Sequence, residues 1–384
     1  MSAANIDEEL VGRARTAGGV IAPLTATIER ERRLPPEAVA ALASAGVFKL
    51  LVPRAYGGSA ASVATTAAVI EEVARADGSA GWCAMISATS GLMCLYLDDA
   101  TAREVYGPAE AATCGVFAPM GRASREDGGF RVSGRWPFAS GCEYSGWRMG
   151  GAIVAGDPPL QSGAPDVRSM LFRADETTIV DTWDVVGMRG SGSHDLEARE
   201  VFVPAARSFS LLTDAPKQAG FAMPFFGTLA TGVAAVGIGV ARAAIEAFVG
   251  LAGKKQPPGS KRTIAHRELV QLAVAQAEAK VGAARAFLHE ALAAAEREVA
   301  ADGEASLRAR ARLRLAASHA ASESAAAVDL MYAQAGATAI YARSPLQRQL
   351  RDAHVVTQHV MVAPTAAQLA GRVLLGLEPD ATML

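Results

Sequence analysis

The sequence predicts a mainly α-helical chain with a small β domain in its middle, and three observations carry that prediction. Apolar residues recur at helical spacing through the N-terminal quarter and again, in Ala-rich form, from Pro224 almost to the end. Between these stretches, from about residue 112, short runs rich in aromatic and β-branched residues alternate with Gly, Pro, Asp and Ser, the pattern of a compact antiparallel unit. At 384 residues the chain exceeds what one helical core needs. The predicted organisation is an N-terminal helical domain over 1–111, a middle β domain over 112–215 and a C-terminal helical bundle over 216–384.

Each element has its own signals. Residues 34–46 (LPPEAVAALASAG) predict a helix with Pro in its first turn, Glu37 near its positive end and Gly46 as its stop. VPRAYGGSA then breaks regularity, and helical patterning resumes over 63–76, pauses at Asp77-Gly78 and runs on to Leu97. TCGVFAPMG, GFRVSGRWPF, WRMGGAIVAG, SMLFRA, TIVDTWDVV and LEAREVFVP are the expected strands. Beyond Pro224, breaks at KKQPPGSKR, Asp302-Gly303, QAGATAIYARSP and Pro364 divide the chain into four or five helices.

Composition excludes several classes of partner. A net charge of −2 gives no positive field to attract phosphate backbones, so nucleic acid is not expected. Cys83, Cys94, Cys114 and Cys142 are widely spaced, suggesting neither zinc nor a disulfide framework. The acidic start MSAANIDEELVGRAR lacks the features of a secretory signal, so a cytoplasmic setting is expected. Residues 80–97 and 222–241 are apolar but dense in Gly, Ala, Ser and Thr, which suits close-packed core helices better than membrane spans.

A dinucleotide-binding glycine motif needs a strand, a turn and a helix, and none is present. Gly237-Ile-Gly239 lies inside a helical run, where small residues allow close helix contact, and Gly190-Ser191-Gly192-Ser193 precedes a strand and lacks the P-loop Lys. Nicotinamide is therefore not an expected ligand.

WDVVGMRGSGSHDLEAREVFVP at the end of the β domain, and QAGATAIYARSPLQRQLRDAHVVTQH near the C-terminus, resemble the acyl-CoA dehydrogenase superfamily over about residues 20–376. The dehydrogenases of that superfamily need a carboxylate that removes the α-proton of a thioester. Here Arg351-Asp352 is followed by AHVVTQHVMVAP, with His359 and no carboxylate, and the alternative seat, GTLATGVAA over 227–235, is equally bare. CGVFAPMGRA also departs from their flavin-loop pattern. GRWPFASG (134–141) and RDAHVVTQH are instead similar to the two-component flavin-dependent monooxygenases, the branch that includes phenol hydroxylases.

That resemblance implies an oxygenase component acting through a C4a-hydroperoxyflavin on an aromatic or other electron-rich small molecule. Reduced flavin, FMN or FAD, would come from a separate flavin reductase, O₂ would be the second substrate, and the cofactor site would be completed across subunits of a homotetramer. Such an adduct needs apolar walls and few donors, because water and stray protons release hydrogen peroxide. His359 and Ser140 become the catalytic candidates. His359 can either take a phenolic proton or donate to the hydroperoxide, and Ser140 with neighbouring N–H groups can bond the flavin N5 and O4 edge.

Trp136, Phe138, Ala139, Ser140, Gly141, Ser191, Ser193, Arg262, Gln334 and Gly336 match cofactor-binding segments; Trp82, Phe117 and His359 are the expected substrate pocket. A lone Trp is usually core, and Arg262 with Lys261 on a polar turn is as easily solvated as bound to phosphate. His354 is expected to be structural, His266, His289 and His319 superficial, and His194 solvent-facing or near the flavin. Two alternatives stay open: an FAD-dependent acyl-CoA dehydrogenase or desaturase using an unplaced base such as Glu246, and a flavin-free helical binding protein.

Overall fold

The computed structural model describes residues 6–159, 163, 165–218, 220–378 and 384. Six helices come first: α1 (Glu8–Ile21), α2 (Thr25–Glu31), α3 (Pro36–Ser44), α4 (Val63–Ala76), α5 (Gly78–Ser90) and α6 (Asp99–Tyr106). Their starts are set by side-chain caps: Asp7, Ser62, Asp77 and Asp98 each accept a backbone N–H from the first turn of α1, α4, α5 and α6. The apolar run expected to continue to Leu97 is α-helical only to Ser90 and finishes as a 3₁₀ segment, Gly91–Tyr96.

Seven strands follow among the described residues: β1 (Thr113–Glu126), β2 (Gly129–Trp136), β3 (Trp147–Val154), β4 (Val167–Arg173), β5 (Thr178–Val180), β6 (Asp195–Pro204) and β7 (Ser208–Ser210). They form one sheet in the order β5-β6-β2-β1-β3-β4-β7. The expectation of a wholly antiparallel unit is corrected at one pair, since β1 and β3 run parallel. The reason is local. β2 folds back on one edge of β1 through Asp127-Gly128, which leaves only the other edge for β3, and the chain must cross over through 137–146 to reach it. A register shift between Val116 and Gly121 lets Ala118, Pro119 and Met120 bulge outward.

Among the described residues five helices follow: α7 (Phe225–Ala252), α8 (Glu268–Asp302), α9 (Leu307–Ala335), α10 (Pro345–Thr357) and α11 (Pro364–Leu374). α7 is long and apolar enough to span a membrane, but 72% of its most apolar window is buried, and it packs between α4, α5, α9 and α10. The small residues make this possible: a methyl on Gly239 would stand 2.4 Å from the Glu71 carbonyl oxygen of α4, and one on Gly81 would stand 2.4 Å from the Ala74 side chain. Gly239 is thus a helix-contact glycine.

Candidate active site

The crossover 137–146 that makes β1 and β3 parallel is also the segment expected to meet flavin. Phe138 takes a left-handed conformation (φ 67°), which turns its ring outward to 68% exposure, edge-on to Trp183 at 6.0 Å. A bulky residue held there marks a site that the surroundings impose. The next two residues turn inward. Ala139 and Ser140 are buried, and Gly141 closes the turn at φ 74°.

The backbone N–H groups of this segment are already engaged. Ala139 donates to the His194 carbonyl, Ser140 to Phe138, and Gly141 to Ser191. The expectation that they would bond the flavin edge is therefore corrected, and the Ser140 hydroxyl remains as the polar feature. It sits in a buried chain: Trp82 Nε1 donates to Ser140 Oγ at 2.9 Å, Ser140 Oγ lies 2.7 Å from Ser193 Oγ, Ser193 Oγ lies 2.7 Å from Ser191 Oγ, and Ser191 Oγ donates to the Met188 carbonyl at 2.7 Å.

Trp82 comes from α5 and meets His359 edge-on, with ring centroids 5.3 Å apart at 73°. α10 ends at Thr357, so His359 stands in the turn beyond it, not on a helix. The Met361 N–H donates to His359 Nδ1 at 3.3 Å, which assigns the lone pair to Nδ1 and the proton to Nε2 in the neutral ring. Burial, and then the Arg314 guanidinium, push the His359 pKa down to about 4, so the ring is neutral at physiological pH. Arg314 is itself almost wholly enclosed (2% exposed), donates to the Met361 carbonyl, and carries a pKa that burial lowers to about 10. Of the two roles expected for His359, this arrangement favours the donor.

Met188, also left-handed at φ 52°, is clamped from both sides. Its N–H donates to Asp352 Oδ1 at 2.6 Å, and its carbonyl accepts from Ser191 Oγ and, at 3.1 Å, from Trp183 Nε1. Asp352 is fully buried, and burial pushes its carboxyl up to about 7. Neither Met188, Trp183 nor Arg314 was singled out from sequence. Trp183 stands at the head of the quoted WDVVGMRGSGS segment and was the one accessible signal; Arg314 is lost among Arg308, Arg310 and Arg312.

Other expected residues take structural places. Trp136 is 0% exposed; its ring packs on Phe172 and its Nε1 donates to the Gly151 carbonyl, so its expected place in the cofactor site is corrected to a core role. Gly121, Gly134 and Gly150 form its bed, where an added methyl would come within 2.4–2.7 Å of the indole. Phe117 makes its ring contact with Phe225, 5.8 Å away. His194 is buried, its Nδ1 accepting the N–H groups of Thr182 and Trp183, so a solvent-facing position is ruled out. His354 is exposed and bonded to Asp329 at 2.8 Å; His266 and His319 are exposed, whereas His289 is half-buried beside Glu71. Glu246, offered as an unplaced base, is paired with Arg75 on the surface of α7 at 2.9 Å, which removes it from that role.

Arg262 is exposed on the turn after α7, its backbone bonded to the Ser260 hydroxyl. That turn meets Gln334 and Gly336 through Lys255, whose Nζ donates to the Ala335 carbonyl at 2.7 Å. α7 separates this corner from the serines, because Gly232 packs on Met85 of α5 while Ala252, twenty residues on, lies about 30 Å away at 1.5 Å per residue. An open cleft of about 520 Å³ borders the Met188–Gly192 turn, lined by Glu29, Asp184, Val185, Val186, Arg189 and Arg351.

Reduced isoalloxazine is an aromatic plate with one N–H at N5, and the centre offers matching parts: an aromatic edge from Trp82, one hydroxyl oxygen from Ser140, and one imidazole N–H from His359. These residues fit the group. Among the described residues the buried carboxylates are Asp77, which caps α5, and Asp352, which holds Met188. The fold and site together define a flavoprotein in which both buried carboxylates among the described residues are engaged in structural bonds.

Comparison with known proteins agrees. Residues 12–105 match the acyl-CoA dehydrogenase N-terminal domain family and 231–364 match its C-terminal domain family. The indole-3-acetate monooxygenase of Pseudomonas putida is 34% identical over 91% of this chain and 90% of its own. The oxygenase component of an FADH(2)-dependent resorcinol hydroxylase from a Rhizobium strain is 33% identical over 96% and 95%. The structure of XiaF from a Streptomyces species, in complex with FADH2 and glycerol, superposes with a TM-score of 0.87 at 30% identity over 97% and 96%. The chain belongs to the flavin-dependent monooxygenase branch of the acyl-CoA dehydrogenase superfamily, as an oxygenase component.

Proposed function

We propose that this chain hydroxylates a small aromatic compound of the indole or phenol type, using reduced flavin delivered by a separate reductase in the cytoplasm. One observation carries the reading: an imidazole, His359, stands against Trp82 where thioester oxidation would demand a carboxylate. Indole-3-acetate and resorcinol, named for two relatives, set the substrate class to try first.

Reduced flavin, when bound, supplies the two electrons with which one oxygen atom of O₂ enters the product and the other leaves as water. The protein's own residues do the rest. The His359 Nε2–H donates where negative charge develops on departing oxygen, a role that a neutral ring serves without releasing a stray proton. Trp82 and the buried small residues of α5 exclude water. The Arg262–Gln334–Gly336 corner, remote from its own chain's serines, supports a homotetramer in which it serves a neighbouring subunit's flavin phosphate.

The test is turnover with a flavin reductase, FMN or FAD, and an indole and phenol panel under isotope-labelled O₂. Labelled hydroxyl product is the expected result. Substrate desaturated under anaerobic conditions with an artificial electron acceptor would replace this reading with the dehydrogenase one.

A further inference from the structure

The chain from Trp82 to Met188 has a fixed direction. An indole N–H can only donate and a carbonyl oxygen can only accept, and each of the three hydroxyls between them has one proton. The Ser191 proton goes to the Met188 carbonyl, so the bond between Ser191 and Ser193 must use the Ser193 proton. The bond between Ser193 and Ser140 must then use the Ser140 proton. Ser140 Oγ meanwhile accepts from Trp82. What remains free on Ser140 is one lone pair and no proton.

The relay is also rigid. Trp82, Ser140, Ser191 and Ser193 are all buried, and its carbonyl end is held by Asp352 through the Met188 amide. Reversing the hydroxyls would turn a Ser191 lone pair against the Met188 carbonyl oxygen 2.7 Å away, a loss equivalent to roughly fivefold in population even though that carbonyl also accepts from Trp183 Nε1 and the Ser191 N–H.

From this geometry we infer that Ser191 and Ser193 are positioning residues that present Ser140 to the flavin as an obligate hydrogen-bond acceptor, so that the site selects the cofactor by redox state. The inference rests on reduced flavin being the cofactor. Reduced flavin carries N5–H, a donor that matches the free lone pair. Oxidised flavin presents the N5 lone pair, so two acceptors face each other and the ligand is disfavoured by about tenfold or more. The same polarity that takes up reduced flavin from its carrier helps to expel the oxidised product of the turnover.

The experiment is a binding titration of the full chain with oxidised FMN and FAD, and anaerobically with the dithionite-reduced forms. Wild type should bind reduced flavin at least about tenfold more tightly. Ser193→Ala frees the Ser140 proton to turn towards N5, so oxidised flavin should bind more tightly and the reduced-to-oxidised preference should shrink about tenfold. Ser193→Thr keeps a hydroxyl and should restore the preference. Should Ser193→Ala fail to fold, Ser191→Ala cuts the same relay one link further on and should narrow the preference likewise.

A preference that survives both alanine variants, while Ser140→Ala abolishes it, would overturn the relay and leave the flavin reading intact. Wild type that binds neither redox form would sink the proposed function itself.

Discussion

Asp352 Oδ1 accepts the Met188 N–H at 2.6 Å, a bond that joins α10 to the β domain across 164 residues. It holds a non-glycine residue in the left-handed region and aims its carbonyl at the serine chain. The Arg-Asp pair of the C-terminal signature thereby governs a turn at the far side of the sequence.

Asp352 also carries a pH signature. Its carboxyl is pushed up to about 7, first by burial, against an unfolded value near the ordinary 3.8. A raised acid contributes stability fully present below pH 4 or so, and lost as pH climbs through about 7. Asp352→Asn keeps an acceptor for Met188 without the charge. It should melt close to wild type at pH 4 and higher than wild type at pH 8, by on the order of 2 kcal/mol or several degrees. Calorimetry showing the same difference at both pH values would refute the assignment.

His359 should not titrate in the working range. With its pKa pushed down to about 4, the rate of hydroxylation should show no inflection from this residue between about pH 5 and 8, where an ordinary imidazole changes charge. His359→Ala should lower product formation by roughly a hundredfold, the cost of one preorganised donor, and divert O₂ to hydrogen peroxide. His359→Gln, which keeps an N–H, should recover part of the coupling. A rate that rises along a single ionisation near pH 6.5 in wild type only would restore the general-base role.

Trp136 should behave as core. Trp136→Phe removes the bond to the Gly151 carbonyl and leaves a cavity, at about 2–4 kcal/mol of stability, yet flavin affinity of the folded fraction should stay within about twofold. Gly150→Ala should also destabilise, by roughly 1–3 kcal/mol, because a methyl there would stand 2.4 Å from the indole. Denaturant melts paired with flavin titration check both variants; a specific loss of flavin binding in Trp136→Phe would return that residue to the pocket.

The α7–α9 corner should act on the phosphate end. Arg262→Ala is expected to weaken FMN binding severalfold at low ionic strength and riboflavin binding hardly at all, with the difference shrinking as salt is added. Fluorescence titration of the two flavins against salt reads this directly. Equal effects on both ligands would mean that Arg262 is a solvated turn residue.

Much of this was legible in the sequence, for physical reasons. Helix stops at Gly46 and Asp77, the strand-like runs, and the empty base positions are local features, and local features survive without coordinates. Ser140 and His359 lie in quoted segments and Trp82 in the apolar run 80–97, and the structure brings them together. What stayed hidden depends on partners distant in the chain. Nothing near Trp136 says that three glycines from β1, β2 and β3 close around it, and nothing near Met188 announces Asp352. The Ala139 and Gly141 amides are taken up by His194 and Ser191, acceptors that are fixed only once β6 pairs with β2.

The parallel pairing of β1 with β3 makes the sheet a ruler for the catalytic centre. Ser140 hangs between two strands whose registers are set independently, β2 by its hairpin and β3 by Thr113 opposite Trp147. A slip of one residue in either would carry the hydroxyl about 3.3 Å along the strand, beyond the reach of Trp82. Natural variation in substrate preference is therefore expected to accumulate in the bulge at Ala118–Met120 and around α10, while the lengths of β2, the crossover and β3 stay constant.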